Sequence, residues 1–264
     1  MAFEKAERVI YKNNPLIQVI CQLRFPRILS INEKAPADFQ DSIRKDYPVY
    51  AVAVEQEQQL TIEAAKDPAP KVIQGERINN YSFSSADDIW RINLTSTFLS
   101  LSTSRYTRWE DFCSHLKKPL DALNAVYSPA FYERIGLRYV DAYCRSALNL
   151  DANMPWTELI KPFALGFLSS EIAVEVKGYS STSDINLGNG AMARVVASMG
   201  FVGNAVFQQN PELSFIVDSD FFYDSKKAIS ELEVSLDNLH NHANNLIRSI
   251  ITEKLHEAME PESI

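Results

Sequence analysis

The sequence predicts an α+β protein made of two tandem copies of one unit, each with a strand, a short helix, several antiparallel strands and a long helix. Strand-like and helix-like segments follow the same order in both halves, and short stretches recur at nearly constant offsets. The 264 residues are 46% apolar and 23% charged, as expected for a chain that buries a core. The units are predicted over 1–130 and 131–264, forming one pseudo-twofold body because no Pro, Gly or Ser-rich linker separates them.

The first unit begins with a strand, because apolar and polar residues alternate between Ile17 and Phe25. A short amphipathic helix is predicted between Pro36 and Pro48. A long helix from Trp109 to Val126 ends the unit, since its apolar residues recur at spacings of three and four. The strands between the two helices are predicted at Tyr50 to Glu57, Gln59 to Ala64, Ile78 to Phe83, Ile89 to Leu94 and Phe98 to Thr103.

The second unit is predicted from three offsets. Gln22–Phe25 corresponds to Gly136–Tyr139 at 114 residues, and Leu120–Leu123 corresponds to Leu236–Leu239 at 116. Phe39 and Ile43 correspond to Trp156 and Ile160 at an offset of 117, which predicts a second short helix. The strands of this unit are predicted at Glu171 to Gly178, Met192 to Ser198, Phe201 to Gln208 and Leu213 to Phe222.

The last helix is predicted as one element from about Ser225 to Met259. At this length its end could protrude and pair with a second subunit in a homodimer, although this is the less favoured of two interpretations. The alternative is that the helix lies across the sheet of its own chain.

Charge and composition limit the class of protein. The net charge of −8 disfavours nucleic acid as the main partner, because polyanion binding needs clustered Lys and Arg. The amino terminus lacks the apolar core of a signal peptide, and no run of about 18 apolar residues is present, so a cytoplasmic protein without membrane association is expected. Three widely spaced cysteines fit free thiols in a reducing compartment.

Motifs for catalysis, metals and cofactors are not found in the sequence. His240 and His242 are two residues apart on a predicted helix and therefore diverge by about 200°, so they cannot bind one metal ion together. GxSxG, Walker A and GxGxxG patterns are absent. We therefore assign no catalytic residue, no metal and no cofactor.

The strongest binding-site candidate is a group of arginines. Arg24 and Arg138 occupy corresponding positions in the two units, each on the polar side of an apolar strand. If these strands meet at the pseudo-twofold axis, the guanidinium groups converge and can bind a carboxylate or phosphate. Arg134 lies four residues before Arg138 and so on the same strand face. The alternative is that each arginine pairs with a local acid such as Asp141 or Glu133.

A second candidate is the polar stretch from Gly178 to Gly190, which contains Ser183 and Asn189. It is predicted as a loop between two strands, with backbone amides that could bind an anion. The alternative is an ordinary mobile hairpin loop.

Three segments carry a family resemblance: NPLIQVICQLRFP from Asn14, RIGLRYV from Arg134 and LDNLHNHA from Leu236. The chain resembles a sporadically distributed family of conserved hypothetical bacterial proteins of about this length. The resemblance spans Asn14 to Met259 and implies a bacterial cytoplasmic protein of a mobile accessory locus, such as a defence or toxin–antitoxin locus. It supplies no catalytic residues.

The leading functional hypothesis is a non-enzymatic binding or regulatory protein that recognises a protein partner or a small anionic ligand across the sheet. One alternative is a hydrolase or nuclease whose site is assembled only in the fold. Another is a saddle-like nucleic-acid binder, since the order of elements is similar to that of the TATA-binding protein, although topology alone does not define function.

Overall fold

A computed structural model describes residues 3–61, 71–202 and 212–263. The predicted strands at Gln59 to Ala64 and Phe201 to Gln208 lie partly outside these residues. The described elements are β1 (Val9–Tyr11), β2 (Leu16–Arg24), α1 (Leu29–Glu33), α2 (Ala37–Ile43), β3 (Val49–Thr61), β4 (Lys71–Ser84), β5 (Trp90–Leu94), β6 (Phe98–Thr103), α3 (Trp109–Val126), β7 (Arg134–Tyr143), β8 (Ser180–Gly188), β9 (Ala191–Phe201), β10 (Leu213–Tyr223), α4 (Leu232–Ile250), α5 (Glu253–Ala258) and β11 (Pro261–Ser263).

Nine of the strands form one antiparallel sheet in the order β3-β4-β5-β6-β2-β7-β10-β9-β8. The first strand that each half contributes to this sheet, β2 or β7, lies at its centre, and the two pair with Cys21 opposite Leu137. Strands of the first half lie on one side of this pair and strands of the second half on the other, and on both sides the last strand of the half lies nearest the centre. The mixed α+β class and the antiparallel sheet are confirmed; the duplication stays a prediction.

One face of the sheet is packed against helices. Along β2, Val19, Cys21 and Leu23 are fully buried, whereas the residues between them are partly exposed. The long helices α3 and α4 bury their apolar stripes in the same core, which includes Phe112 and Leu239. This alternation gives the sheet a covered face and an open face.

Two elements predicted for the second half do not form as a regular helix and a regular strand. The helix predicted around Trp156 and Ile160 is only a 3₁₀ turn at Trp156–Glu158, and Ile160 forms a β-bridge with Ile251. The strand predicted at Glu171 to Gly178 is irregular and includes a 3₁₀ turn at Ala173–Glu175. Its alternating apolar residues mimic a strand, but Val174 is 81% exposed, so no sheet face buries them.

The prediction of a single carboxy-terminal helix was wrong, because the segment forms two shorter helices. Helix α4 ends at Ile250, the chain becomes extended at Ile251, and Thr252 starts α5 by accepting a hydrogen bond from the Leu255 amide at 3.3 Å. Leu255 and Met259 are fully buried, and β11 then pairs with β1. The helix therefore lies across its own sheet, and none of its described residues protrudes as a free end; the homodimer stays a prediction.

Within the described part of the chain, no helix has the length and apolar character needed to cross a membrane.

Candidate functional site

The open face of the sheet carries the arginines that the sequence singled out. In the β2–β7 register Arg24 lies directly opposite Arg134, and Arg138 lies opposite Ile20. Across the other edge of β7, Arg138 lies opposite Asp220 of β10. The three arginines therefore share one face at the centre of the sheet. Arg24 and Arg134 are direct partners across two strands, and Arg134 and Arg138 are four residues apart on one strand.

Carboxylates of β10 neutralise two of these arginines. The Arg134 Nη2 atom donates to Asp220 Oδ2 at 2.7 Å, and the Arg138 Nε atom donates to Asp218 Oδ1 at 2.6 Å, with a second bond from Arg138 Nη2 to Oδ2. The hydrogen bonds that Arg138 donates to Asp218 raise the pKa of Arg138 above its ordinary value. The convergence of unpaired guanidinium groups that the sequence predicts is therefore not present.

Arg134 and Arg138 do pair with acids, as the alternative prediction held, but these acids are not the predicted Asp141 and Glu133. Asp141 lies three residues after Arg138 and therefore on the covered face, where it is 3% exposed. Glu133 precedes β7 and forms no ion pair with either arginine among the described residues. Arg24 is exposed, and its side chain has no hydrogen-bond or ion-pair partner in the described part of the chain.

Gly136 has no side chain and so leaves space for the guanidinium of Arg134. The Arg134 guanidinium lies over Gly136, where an added Cβ would be 2.1 Å from Nη1. From there it reaches Asp220 and also lies 4.7 Å from the centre of the Phe222 ring. Glycine at this position therefore allows the side chain to lie flat on the open face.

Ser183 and Asn189 do not join the arginines. The stretch predicted as a loop is mostly strand β8, and Ser183 is in register with the buried Val195, so it lies on the covered-face side of this edge strand. Asn189 is at the tip of the β8–β9 turn with a positive φ of 52°. The prediction of a loop was wrong because an edge strand tolerates many polar residues, which hides its alternation.

A cavity that the sequence reasoning missed lies on the covered face. It has a volume of about 110 Å³ and lies between β7, the start of α3, α4 and the segment that leads into β2. Its walls include Arg8, Tyr11, Asn14, Tyr106, Arg108, Trp109, Tyr139, Asp141, His240 and Asn244.

Among the described residues that line the cavity, Asp141 is the only acid. Its Oδ2 atom is completely buried without a hydrogen bond, and no described residue pairs with its carboxylate. Burial in this low-dielectric environment raises the pKa of Asp141 from 3.8 to about 7. The sequence held a signal for this position, because the alternation that buries Leu137 and Tyr139 also buries Asp141.

A chain of aromatic contacts forms another wall. The Tyr139 hydroxyl and His240 Nδ1 are 2.8 Å apart, and the imidazole stacks on the Trp109 ring at 4.5 Å between centroids. Trp109 Nε1 donates to Asp237 at 2.8 Å. Burial, with a smaller contribution from Arg8, lowers the pKa of His240 to about 4, so the imidazole is neutral at physiological pH.

The basic residues of the cavity wall are bound to a different acid. Arg8 Nη2 and Arg108 Nε donate to the two oxygens of Glu110, at 3.0 and 3.1 Å. A backbone hydrogen bond and these two arginines lower the pKa of Glu110 to about 2. Since Glu110 binds both guanidinium groups, Asp141 has no counter-ion among the described residues.

Other groups do not suggest a metal centre. Across the described ranges, no three His, Cys, Asp or Glu side chains are grouped as metal ligands would be. In comparisons with known proteins, no family model and no curated sequence matches the chain. The fold and the site geometry define an α+β protein with an open sheet face and a cavity on its covered face, and they carry the functional argument.

Proposed function

We propose that this chain is a non-enzymatic binding protein that recognises a partner protein across the open face of its sheet. The observation that supports this most directly is the different treatment of the two faces. On one face the residues of the central strands are almost all buried, whereas most central side chains of the other remain partly exposed. A broad surface of this kind is typical of an interaction site.

The residue types of the open face favour a protein as the partner. Partly exposed Ile20, Val140, Val196, Met192 and Phe222 lie among the arginine–aspartate pairs. Arg, Met and aromatic side chains are enriched in protein interfaces, where they bury large areas and also form hydrogen bonds. Arg24 adds an exposed guanidinium, which has no partner in the described part of the chain, at the edge of this group.

The paired charges argue against a small anion or nucleic acid. Arg134, Arg138 and Arg194 each have an aspartate partner on the same face. A polyanion gains affinity by displacing counterions from its phosphates with free cationic groups, and an anion would have to compete with these carboxylates. The saddle-like nucleic-acid binder and the small anionic ligand are therefore less well supported than a protein.

The proposal includes an internal duplication of the sheet unit. The mirrored strand order about β2 and β7 supports it, together with the sequence offsets that relate α3 to α4. The absence of a helix at Trp156 counts as divergence of the second unit under this proposal. A bacterial, cytoplasmic setting in an accessory locus rests on the family resemblance alone.

Site-specific photo-cross-linking in the native cell tests the function. A photoreactive phenylalanine derivative is placed at Val196 on the open face and, as the matched control, at Val234, which is 65% exposed on α4. We expect one discrete covalent adduct with a different protein from position 196 and none from position 234. Equal patterns from both positions, or an adduct only between copies of this chain, would contradict the proposal.

A further inference from the structure

The cavity on the covered face contains an unexplained group. Asp141 is 3% exposed, and its buried Oδ2 atom accepts no hydrogen bond. A buried carboxylate usually has a cation or several donors, because desolvation of an unpaired charge is strongly unfavourable. The carboxyl group must therefore bind a proton or a donor from outside the described residues.

The neighbouring side chains do not supply that donor. Glu110 binds Arg8 and Arg108, the Tyr139 hydroxyl is engaged with His240, and Asn14 Nδ2 donates to the Tyr106 carbonyl at 3.0 Å. Arg8, Arg108, Tyr139 and Asn14 thus have partners elsewhere. The remaining neighbours of Asp141 along β7, Tyr139 and Tyr143, are neutral phenols whose pKa burial raises.

The rest of the wall suits a positive charge. Tyr106, Trp109 and Tyr139 present aromatic rings, with the Tyr106 and Tyr139 centroids 6.1 Å apart in an edge-to-face arrangement. Aromatic rings attract cations through their quadrupoles, and the attraction is stronger where water is excluded. His240 is neutral, and the two cationic side chains of the wall, Arg8 and Arg108, are both paired with Glu110.

We propose that the cavity binds a small ligand bearing an ammonium group, with Asp141 as its counter-ion and the rings of Tyr106, Trp109 and Tyr139 as its walls. The volume of about 110 Å³ is several times the roughly 10–15 Å³ that one water requires, so a compact organic molecule fits. This proposal does not depend on the proposed function of the open face. The two sites lie on opposite faces of the sheet.

Thermal unfolding of the full chain with four-carbon probes tests the ligand class. The ammonium-bearing probes are butylamine and 1,4-diaminobutane, which are cations, and 4-aminobutanoate, which is a zwitterion. The uncharged and anionic controls are butan-1-ol and butanoate, all at matched ionic strength. At about pH 8 alkylamines are protonated and Asp141 is largely ionised. We expect a saturable rise in Tm of roughly 5 °C for at least one ammonium probe at about 100-fold its Kd, and none for the controls.

Three variants locate the response. Asp141→Asn keeps the shape of the site and removes its charge, and Ala243→Leu fills the cavity from α4 while Asp141 remains. Both changes should abolish the rise in Tm. The matched control Asp121→Asn removes an exposed acid on α3, paired with Lys117, and should keep the full response.

The probe series and the cavity-filling variant can each contradict the proposal. No response to any ammonium probe, or an equal response to butan-1-ol, would overturn it. A response that survives in Ala243→Leu would place amine binding outside the cavity and overturn it also, even if Asp141→Asn did not fold. Among positive results, a stronger response to 4-aminobutanoate would indicate that the Arg8 and Arg108 side of the cavity receives a carboxylate.

Discussion

Strand β7 presents a charged side chain to each face of the sheet, and the two environments differ. Arg138 on the open face forms two hydrogen bonds with Asp218, and solvent reaches both side chains. Asp141 on the covered face is buried without a partner. Solvated pairs contribute little to stability and can exchange partners, whereas a buried unpaired carboxylate opposes folding. The open face is therefore suited to exchange with a macromolecule and the covered face to capture of a small charged group.

The largest expected effect is on the covered face. The folded-state pKa of Asp141 is raised to about 7, so its protonated form stabilises the fold at low pH and this contribution is lost as the pH rises from about 4 to 7. His240 acts in the opposite direction, since its pKa is lowered to about 4 and its protonation below about 6.5 favours the unfolded chain. In the wild type the two contributions nearly cancel between these values.

Replacing Asp141 by Asn separates the two groups. We expect the variant to match the wild type near pH 4 and to exceed its free energy of unfolding by up to roughly 4 kcal/mol near pH 8. Urea unfolding at intervals across this range measures the difference. A constant difference at every pH would show that Asp141 does not titrate as a buried unpaired acid.

The next effect concerns partner binding on the open face. Arg24→Glu reverses the one charge in the arginine group that has no partner among the described residues. We expect roughly tenfold weaker binding to the cross-linked partner, typical of losing an interface arginine, with unchanged thermal stability. Lys117→Glu on the exposed side of α3 is the matched charge reversal. Equal losses for both variants would indicate a general charge effect.

A smaller effect is expected where Gly136 meets Arg134. Gly136→Ala places a methyl group where the guanidinium lies and should separate Arg134 from Asp220 and Phe222. We expect a loss of about 1 kcal/mol in the free energy of unfolding, as for one part-buried charged hydrogen bond. In an Arg134→Ala background the same change should be neutral or slightly stabilising, since Ala is preferred to Gly in a strand. A double-mutant cycle measures the coupling.

The sequence predicted the central features of this fold and not the identity of the site. Alternation along Ile17 to Phe25 identified β2 and its buried face, and helical spacing identified α3. Even spacing placed Arg134 and Arg138 on one face, but it could not show that Asp218 and Asp220 of a distant segment lie beside them. Strand pairing is a long-range property, so a local pattern cannot name the partner of a charge.

The cavity on the covered face shows the same limit of local sequence patterns. Strand alternation alone assigns Asp141 to the covered face, so its burial was predictable from β7. That Asp141 has no partner among the described residues was not predictable, because it depends on Glu110 binding both Arg8 and Arg108. The break at Ile251 was also missed, since apolar spacing continues through it while the extended residue pairs with Ile160.

The smallest effect completes the comparison of the faces. Asp218→Asn is the same chemical change as Asp141→Asn, made on the open face, where Asp218 pairs with Arg138. Because this pair is partly exposed, we expect the free energy of unfolding near pH 8 to fall by at most about 1 kcal/mol. The sign is opposite to that of Asp141→Asn, since one change removes a partner and the other removes an unpaired charge. If both variants were destabilised alike, the covered face would hold a partner for Asp141 in the free protein, and the distinction between the faces would be lost.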